Sequence, residues 1–154
     1  MKVKDAMKKE VIKVKRSTSL RGLLSLFKDF HALPIILVVD DSDLLIGVVL
    51  INNLLDILKP SQVKFLKNIP FAEIDEDVFD LERSPLMGEL ILVDDIMDTN
   101  FIFLEEDATL EEAYKKMKLH KKDQLPVVNK ENKILGIIGI FDIVWRMFKQ
   151  KEIV

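Results

Sequence analysis

Carboxylates are the side chains in this 154-residue chain with the most chemistry to offer. There is no cysteine, which excludes thiolate nucleophiles, disulfides and thiolate metal ligands. His31 and His120 are too few for a zinc site. No Ser-His-Asp, Cys-His or Gly-x-Ser-x-Gly arrangement occurs, and no Gly-x-x-x-x-Gly-Lys loop is present to cradle a phosphate. The paired acids Glu105 and Glu106 fall in a loop ahead of a helix cap. The chain is therefore read as non-enzymatic. A second acidic run spans 68–89, where Glu73, Asp75, Glu76, Asp77, Asp80, Glu82 and Glu89 are set against Arg83 alone. Hard cations want clustered carboxylates, but this spacing matches no calcium loop. The run reads as an ordered, solvated connector or a docking surface, with no metal. Asp142 and Asn53 differ from these acids because each follows a Gly-led apolar run at a helix start. Asp and Asn are favoured caps there in their own right.

Bulk composition narrows the class. Hydrophobic residues make up 49% and charged residues 32%, the balance of a soluble globular protein. A net charge of −3 gives no attraction to nucleic acid or to anionic membranes. The longest apolar stretches, Pro34 to Val39 and Leu44 to Ile51, are too short to span a bilayer. Met1 to Asp5 is followed by no apolar run of the kind a secretory signal carries. A cytoplasmic protein with no nucleic-acid or membrane partner is expected.

The elements that must position Asp142 and Asn53 come in two copies. Val3-Lys4-Asp5-Ala6-Met7 is echoed by Val93-Asp94-Asp95-Ile96-Met97, and Ser19-Leu20 by Thr109-Leu110, both 90 residues later. Gly47-Val48-Val49 is echoed by Gly136-Ile137-Ile138, 89 residues later. Each copy opens with a short extended segment, Val11 to Val14 or Phe101 to Leu104. A helix follows, with apolar positions at Leu20, Leu23, Leu24 and Phe27, or at Leu110, Ala113, Tyr114 and Met117, the spacing of one helical face. Thr109 with Glu112 forms a capping box. Then come a buried strand (Ile35 to Val39, or Leu125 to Val128), a polar turn, and a second strand (Leu44 to Ile51, or Ile134 to Ile140). Each copy closes with a helix. The last, Asp142 to Lys149, is expected to bury Val144, Trp145 and Phe148. One copy of about 55 residues is too small to bury a core alone.

With Leu125-Pro126-Val127-Val128 and the twice-occurring Val-x-Asp-x-Met, the sequence resembles the CBS-domain family. Two such motifs form a CBS pair, also called a Bateman module. The resemblance implies an α+β fold in which the motifs, each strand-helix-strand-strand-helix, pack sheet to sheet about a pseudo-twofold axis. Residues 1–58 would be the first motif, 59–91 the acidic connector and 92–154 the second motif. It implies a regulatory module that senses AMP, ADP, ATP or S-adenosylmethionine and signals to an effector protein, with no cofactor, commonly as a homodimer. A ligand-free interaction scaffold is the alternative.

In nucleotide-binding members the post-hairpin segment reads Gly-h-h-Thr/Ser-x-x-Asp, where h is apolar. The hydroxyl faces phosphate, the Asp accepts from ribose hydroxyls, and the helix amino end adds backbone donors. Here the segment is Gly136-Ile137-Ile138-Gly139-Ile140-Phe141-Asp142, with Gly139 in the hydroxyl position. Asp142 acts as a helix cap, or as cap and ribose ligand together. Adenine would slot between Asn100-Phe101-Ile102 and Leu125-Pro126. The first copy supplies a weaker site, with Gly47, Leu50 and Asn53. Lys118, His120, Lys121 and Lys122 form a basic cluster at a helix end.

Overall fold

The computed structural model describes residues 1–26, 35–50, 54 and 88–154. Phe27, His31, Pro34, Asn53 and most of the acidic connector lie outside them, so the expectations placed on those residues are not addressed. Each copy builds a three-stranded sheet. In the first, β1 (Ile12–Val14) runs parallel to β2 (Ile36–Val39), which pairs antiparallel with β3 (Leu45–Val49). In the second, β4 (Leu104–Glu105) runs parallel to β5 (Gln124–Val128), which pairs antiparallel with β6 (Ile134–Gly139). The helices are α1 (Leu20–Ser25), the short α2 (Val93–Ile96), α3 (Leu110–His120) and α4 (Ile140–Gln150).

Local chemistry explains the element boundaries. Ser19 Oγ accepts the Gly22 N–H at 3.1 Å to start α1. Thr109 and Glu112 close the expected capping box on α3, at 3.1 and 2.8 Å. Both hairpins turn by one device. Asp40 Oδ1 accepts the amides of Ser42 and Leu44, and Asn129 Oδ1 those of Glu131 and Lys133. Asp43 and Asn132 then take φ of 63° and 65°, a left-handed conformation that short polar side chains tolerate.

The sheets face each other. Ile35, Leu37, Val39, Leu45 and Val48 of the first interlock with Val128, Ile134 and Ile137 of the second. Alternate residues point the other way. Ile36 and Val38 join Ile12, Val14 and Leu23, while Leu125 and Val127 join Leu104, Leu110, Ala113, Met117 and Ile143. Burying each large aliphatic side chain contributes about 1.5–3 kcal/mol. Neither half retains its inner face without the other.

The opening segments are exchanged between the halves. Val3 is buried in the core of the second copy, and Val93 in that of the first. The Val3 and Lys4 amides donate to the carbonyls of Ala108 and Glu106, at 2.8 and 3.1 Å. Their mates, Val93 and Asp94, donate to Thr18 and Arg16, at 2.8 and 3.0 Å. Further along, Lys8 and Ile137 exchange two backbone bonds (2.8 and 2.9 Å), as do Asp98 and Val48 (2.8 and 3.0 Å). The Asp of each Val-x-Asp-x-Met is a local cap: Asp5 accepts the Lys2 amide and Asp95 the Leu92 amide. Lys2 and Lys4 also reach Asp107 at 3.2 and 3.3 Å. Their hydrogen bonds, then their charges, hold its carboxyl below the usual range. This contribution is present at neutral pH and fades as pH falls through the depressed pKa. The end of the connector docks on α1, where buried Ile91 accepts the Leu20 amide at 2.8 Å.

Two expectations need correction. The extended segment of the second copy pairs as a strand only at Leu104–Glu105, and Phe101 to Phe103 precede it. The face of α4 expected inside lies outside: Val144 is 39%, Trp145 50% and Phe148 46% exposed. The helix begins at Ile140, and its rotation is set by Asp142 bonding back to Gly139, by Ile143 entering the core, and by Arg146 donating to the Asp5 carbonyl. These positions share one stripe, which leaves Phe141, Val144, Trp145 and Phe148 on the other. Among the described residues no helix is long and apolar enough to cross a membrane.

Candidate functional site

The exchange of opening segments makes two crevices related by the pseudo-twofold. One is an open cavity of about 530 Å³, within the ~300–1,000 Å³ range of small-molecule sites. One side is Lys8 to Ile12, the segment leading into β1; the other is Asp123, Gln124 and Ile137 with Gly139 to Asp142, at the start of α4. Val11, Ile12, Ile137, Ile140 and Phe141 give it mainly apolar walls. The Asp142 side chain is 12% exposed. Its Oδ2 accepts the Gly139 amide at 2.8 Å, and its Oδ1 lies 3.5 Å from Lys8 Nζ. A half-buried carboxylate with one oxygen committed to the backbone and the other to an exposed lysine can release the lysine and accept from a ligand hydroxyl.

In the matching position, the described residues enclose only about 10 Å³. This space is lined by Asp98, Phe101 and Ile102 against Ile35, Val48 and Leu50, with Lys122, Gln124 and Leu125. Leu50 stands where the open cavity has Gly139, and Phe101 where it has Val11. Among the described residues, the larger side chains take up space that the glycine and valine leave open.

Asp142 and Gly139 line one cavity, and Asn100, Phe101, Ile102 and Leu125 are not among its lining residues. Phe101, Ile102 and Leu125 line the closed crevice, Asn100 is exposed beside it, and Pro126 is buried in β5 opposite Ile137. Phe103 turns away, under the Lys116 ammonium at 5.5 Å from its ring centre. The physical reason is the exchange: the first copy's segment, not the second's, reaches Asp142. Gly136 and Gly47 have a packing role. A Cβ on Gly136 would lie 2.3 Å from the Lys8 carbonyl oxygen, and one on Gly47 2.9 Å from Met97 Sδ. Gly139 is different. Its backbone is extended (φ −108°) and a Cβ would meet Asp142 Oδ2 at 3.3 Å, a tight contact with a side-chain atom that can shift by a few tenths of an ångström, so packing favours glycine there without requiring it. The exposed cluster of Lys118, His120 and Lys121 lines neither crevice, whereas Lys122 lines the closed one. Lys8, Lys9, Glu10, Val11, Ile12, Asp123 and Gln124 are lining residues that sequence reasoning missed. The 90-residue offset, which pairs Lys8 to Ile12 with Asp98 to Ile102, was the signal for the first five.

The family model of the CBS domain matches residues 3–60 and 93–149. The chain belongs to the CBS domain family. As a CBS pair it is similar to an uncharacterized protein of Methanocaldococcus jannaschii, 28% identical over 158 residues that cover 94% of this chain and 89% of the relative. Among solved structures, CBSX2 in complex with AMP is 25% identical with a TM-score of 0.71, covering 97% of this chain and 98% of that one. The CBS domain pair of protein MJ0100, in complex with 5′-methylthioadenosine and S-adenosyl-L-methionine, matches at TM-score 0.66 and 18% identity over 98% of each chain. The cytosolic domain of the Mg2+ channel MgtE, in complex with ATP, matches at TM-score 0.62 and 20% identity. Over 91% of its own length, this CBS pair spans 46% of the MgtE chain. The last two likenesses concern the fold. Among the described residues of this CBS pair, no group of three or more His, Cys, Asp or Glu is placed to hold a metal.

Proposed function

We propose that this CBS pair is a non-catalytic regulatory module that senses an adenosine-type ligand through the Asp142 cavity and passes the signal to a partner protein. Its motifs, 1–58 and 92–154, form one cytoplasmic CBS-pair domain around the connector 59–91. The observation that carries the reading is the half-buried Asp142 carboxylate inside an apolar cavity of about 530 Å³. Two carboxylate oxygens suit the vicinal hydroxyls of a ribose, and the walls of Val11, Ile12 and Ile137 suit a purine. The AMP complex of CBSX2, 25% identical over nearly the whole chain, supports the choice of ligand class. AMP, ADP, ATP and S-adenosylmethionine are the compounds to try first. A ligand that binds only the folded state raises the melting temperature in proportion to ln(1 + [L]/Kd). At least one of the four should do so at millimolar concentration, and no shift with any of them counts against the reading.

The exposed stripe of α4 supports the further proposal of a homodimer. Phe141 and Trp145 stack there with ring centres 6.3 Å apart, beside Val144 and Phe148. Contiguous exposed apolar surface of this kind marks association sites. Sedimentation should show a dimer that Trp145→Lys with Phe148→Lys converts to a folded monomer. A parent chain that sediments as a monomer at micromolar concentration argues against it. The ligand-free scaffold reading is favoured by the filled first-copy crevice, but the open cavity beside Asp142 speaks for a ligand.

A further inference from the structure

The amino end of α4, which would face the 5′ end of a nucleotide whose ribose is held by Asp142, is poorly equipped for phosphate. Phosphate at a helix start needs backbone amides pointing outward and positive charge around them. Here the Gly139 amide donates to Asp142 Oδ2 at 2.8 Å, and the Ile140 amide donates to the Asp123 carbonyl at 2.9 Å. Protein oxygens already take these two, the amides of the cap and of the first helical residue. Gly139 supplies no hydroxyl. The charged groups lining the cavity are Glu10, Asp123 and Asp142 against Lys8 and Lys9, and Lys8 lies 3.5 Å from Asp142. The lining therefore carries one more negative than positive charge, and its remaining wall toward the 5′ end is Ile140 and Phe141.

We infer that the cavity selects adenosine compounds whose 5′ substituent is uncharged or cationic, such as a thioether or a sulfonium, over those bearing phosphates. The inference rests on the adenosine reading of the Asp142 cavity. An apolar 5′ group would lie against Ile140 and Phe141, and a cationic one would face Glu10 and Asp123. A triphosphate would bring several negative charges to a net-negative lining where two of the amides around the helix start are already committed. Glu10 and Asp123 are exposed, so their repulsion is screened and should weaken as salt is raised.

Calorimetric titration of the full chain with 5′-methylthioadenosine, S-adenosylmethionine, AMP and ATP tests this. The expected result is that 5′-methylthioadenosine or S-adenosylmethionine binds at least tenfold more tightly than ATP, and more tightly than AMP. In the variant Glu10→Lys with Asp123→Lys, the affinity for ATP relative to 5′-methylthioadenosine should rise at least tenfold. Gly139→Ser should move AMP in the same direction, because a hydroxyl would then point to the 5′ group. AMP or ATP binding more tightly than both phosphate-free compounds to the parent chain overturns the inference while leaving the adenosine reading intact. If none of the four binds to folded protein, both fall.

Discussion

Gly136→Ala should destabilise the fold by about 3 kcal/mol, at the upper end of what overpacking costs. The added Cβ would sit 2.3 Å from the Lys8 carbonyl oxygen, a backbone atom that no side-chain rotation can move. Relief requires β6 and the segment 7–9 to separate. That breaks the paired bonds between Lys8 and Ile137, at 2.8 and 2.9 Å, each with a net value of roughly 1 kcal/mol. It also pulls one wall off the Asp142 cavity, so ligand affinity should fall with stability. Gly139→Ala is the matched control. Its Cβ would meet Asp142 Oδ2 at 3.3 Å and its backbone is already extended. Loss of glycine's unfolded-state freedom offsets that tightness, and the net change should stay within about 1 kcal/mol of zero. Urea unfolding of the two variants measures the difference directly. Equal midpoints would mean that the first copy's segment does not dock against β6.

Asp142→Ala should lower adenosine-ligand affinity about a hundredfold and cost only about 1 kcal/mol of stability. Hydrogen bonds to a charged acceptor contribute roughly 1.5–3 kcal/mol each. Losing an acceptor for two ribose hydroxyls accounts for two decades or more in Kd. The stability term is separate, since Asp142 also holds the Gly139 amide at 2.8 Å, and helix caps are typically worth ~1 kcal/mol. Thermal melting without ligand isolates the cap term, and calorimetric titration of the folded variant reads the binding term. A variant that melts lower but binds as tightly as the parent would show that Asp142 is a cap alone. Asp142→Asn keeps one acceptor oxygen and should fall between the two.

Much of the architecture was legible in the residues. The offset of Met7 and Met97, the matching Gly47 and Gly136, and the capping pair Thr109 and Glu112 report local conformation, and local conformation is what spacing encodes. The two hairpins pair in matching register, with Leu37 opposite Val48 and Pro126 opposite Ile137. What spacing does not encode is which half a segment docks against. Val3 and Val93 are apolar residues at the start of a repeat, and nothing in either repeat marks that each is buried in the other. The site inherited that blind spot. The family resemblance puts Asn100, Phe101 and Ile102 beside Asp142, whereas Lys8 to Ile12 line that cavity. The rotation of α4 was hidden for a similar reason. Val144, Trp145 and Phe148 outweigh Ile143 and Arg146 in apolar bulk, so hydrophobicity alone points the wrong stripe inward. The hydrogen bonds of Asp142 and Arg146 decide the matter.

A crystal structure of the chain soaked with adenosine tests the central claim most directly. The ribose should lie with its 2′ and 3′ oxygens within about 3 Å of the Asp142 carboxylate, with Lys8 displaced from it and the base against Val11 and Ile12. Adenosine bound in the crevice of Leu50 and Phe101 with the Asp142 cavity empty, or with Asp142 still paired to Lys8, would contradict the account.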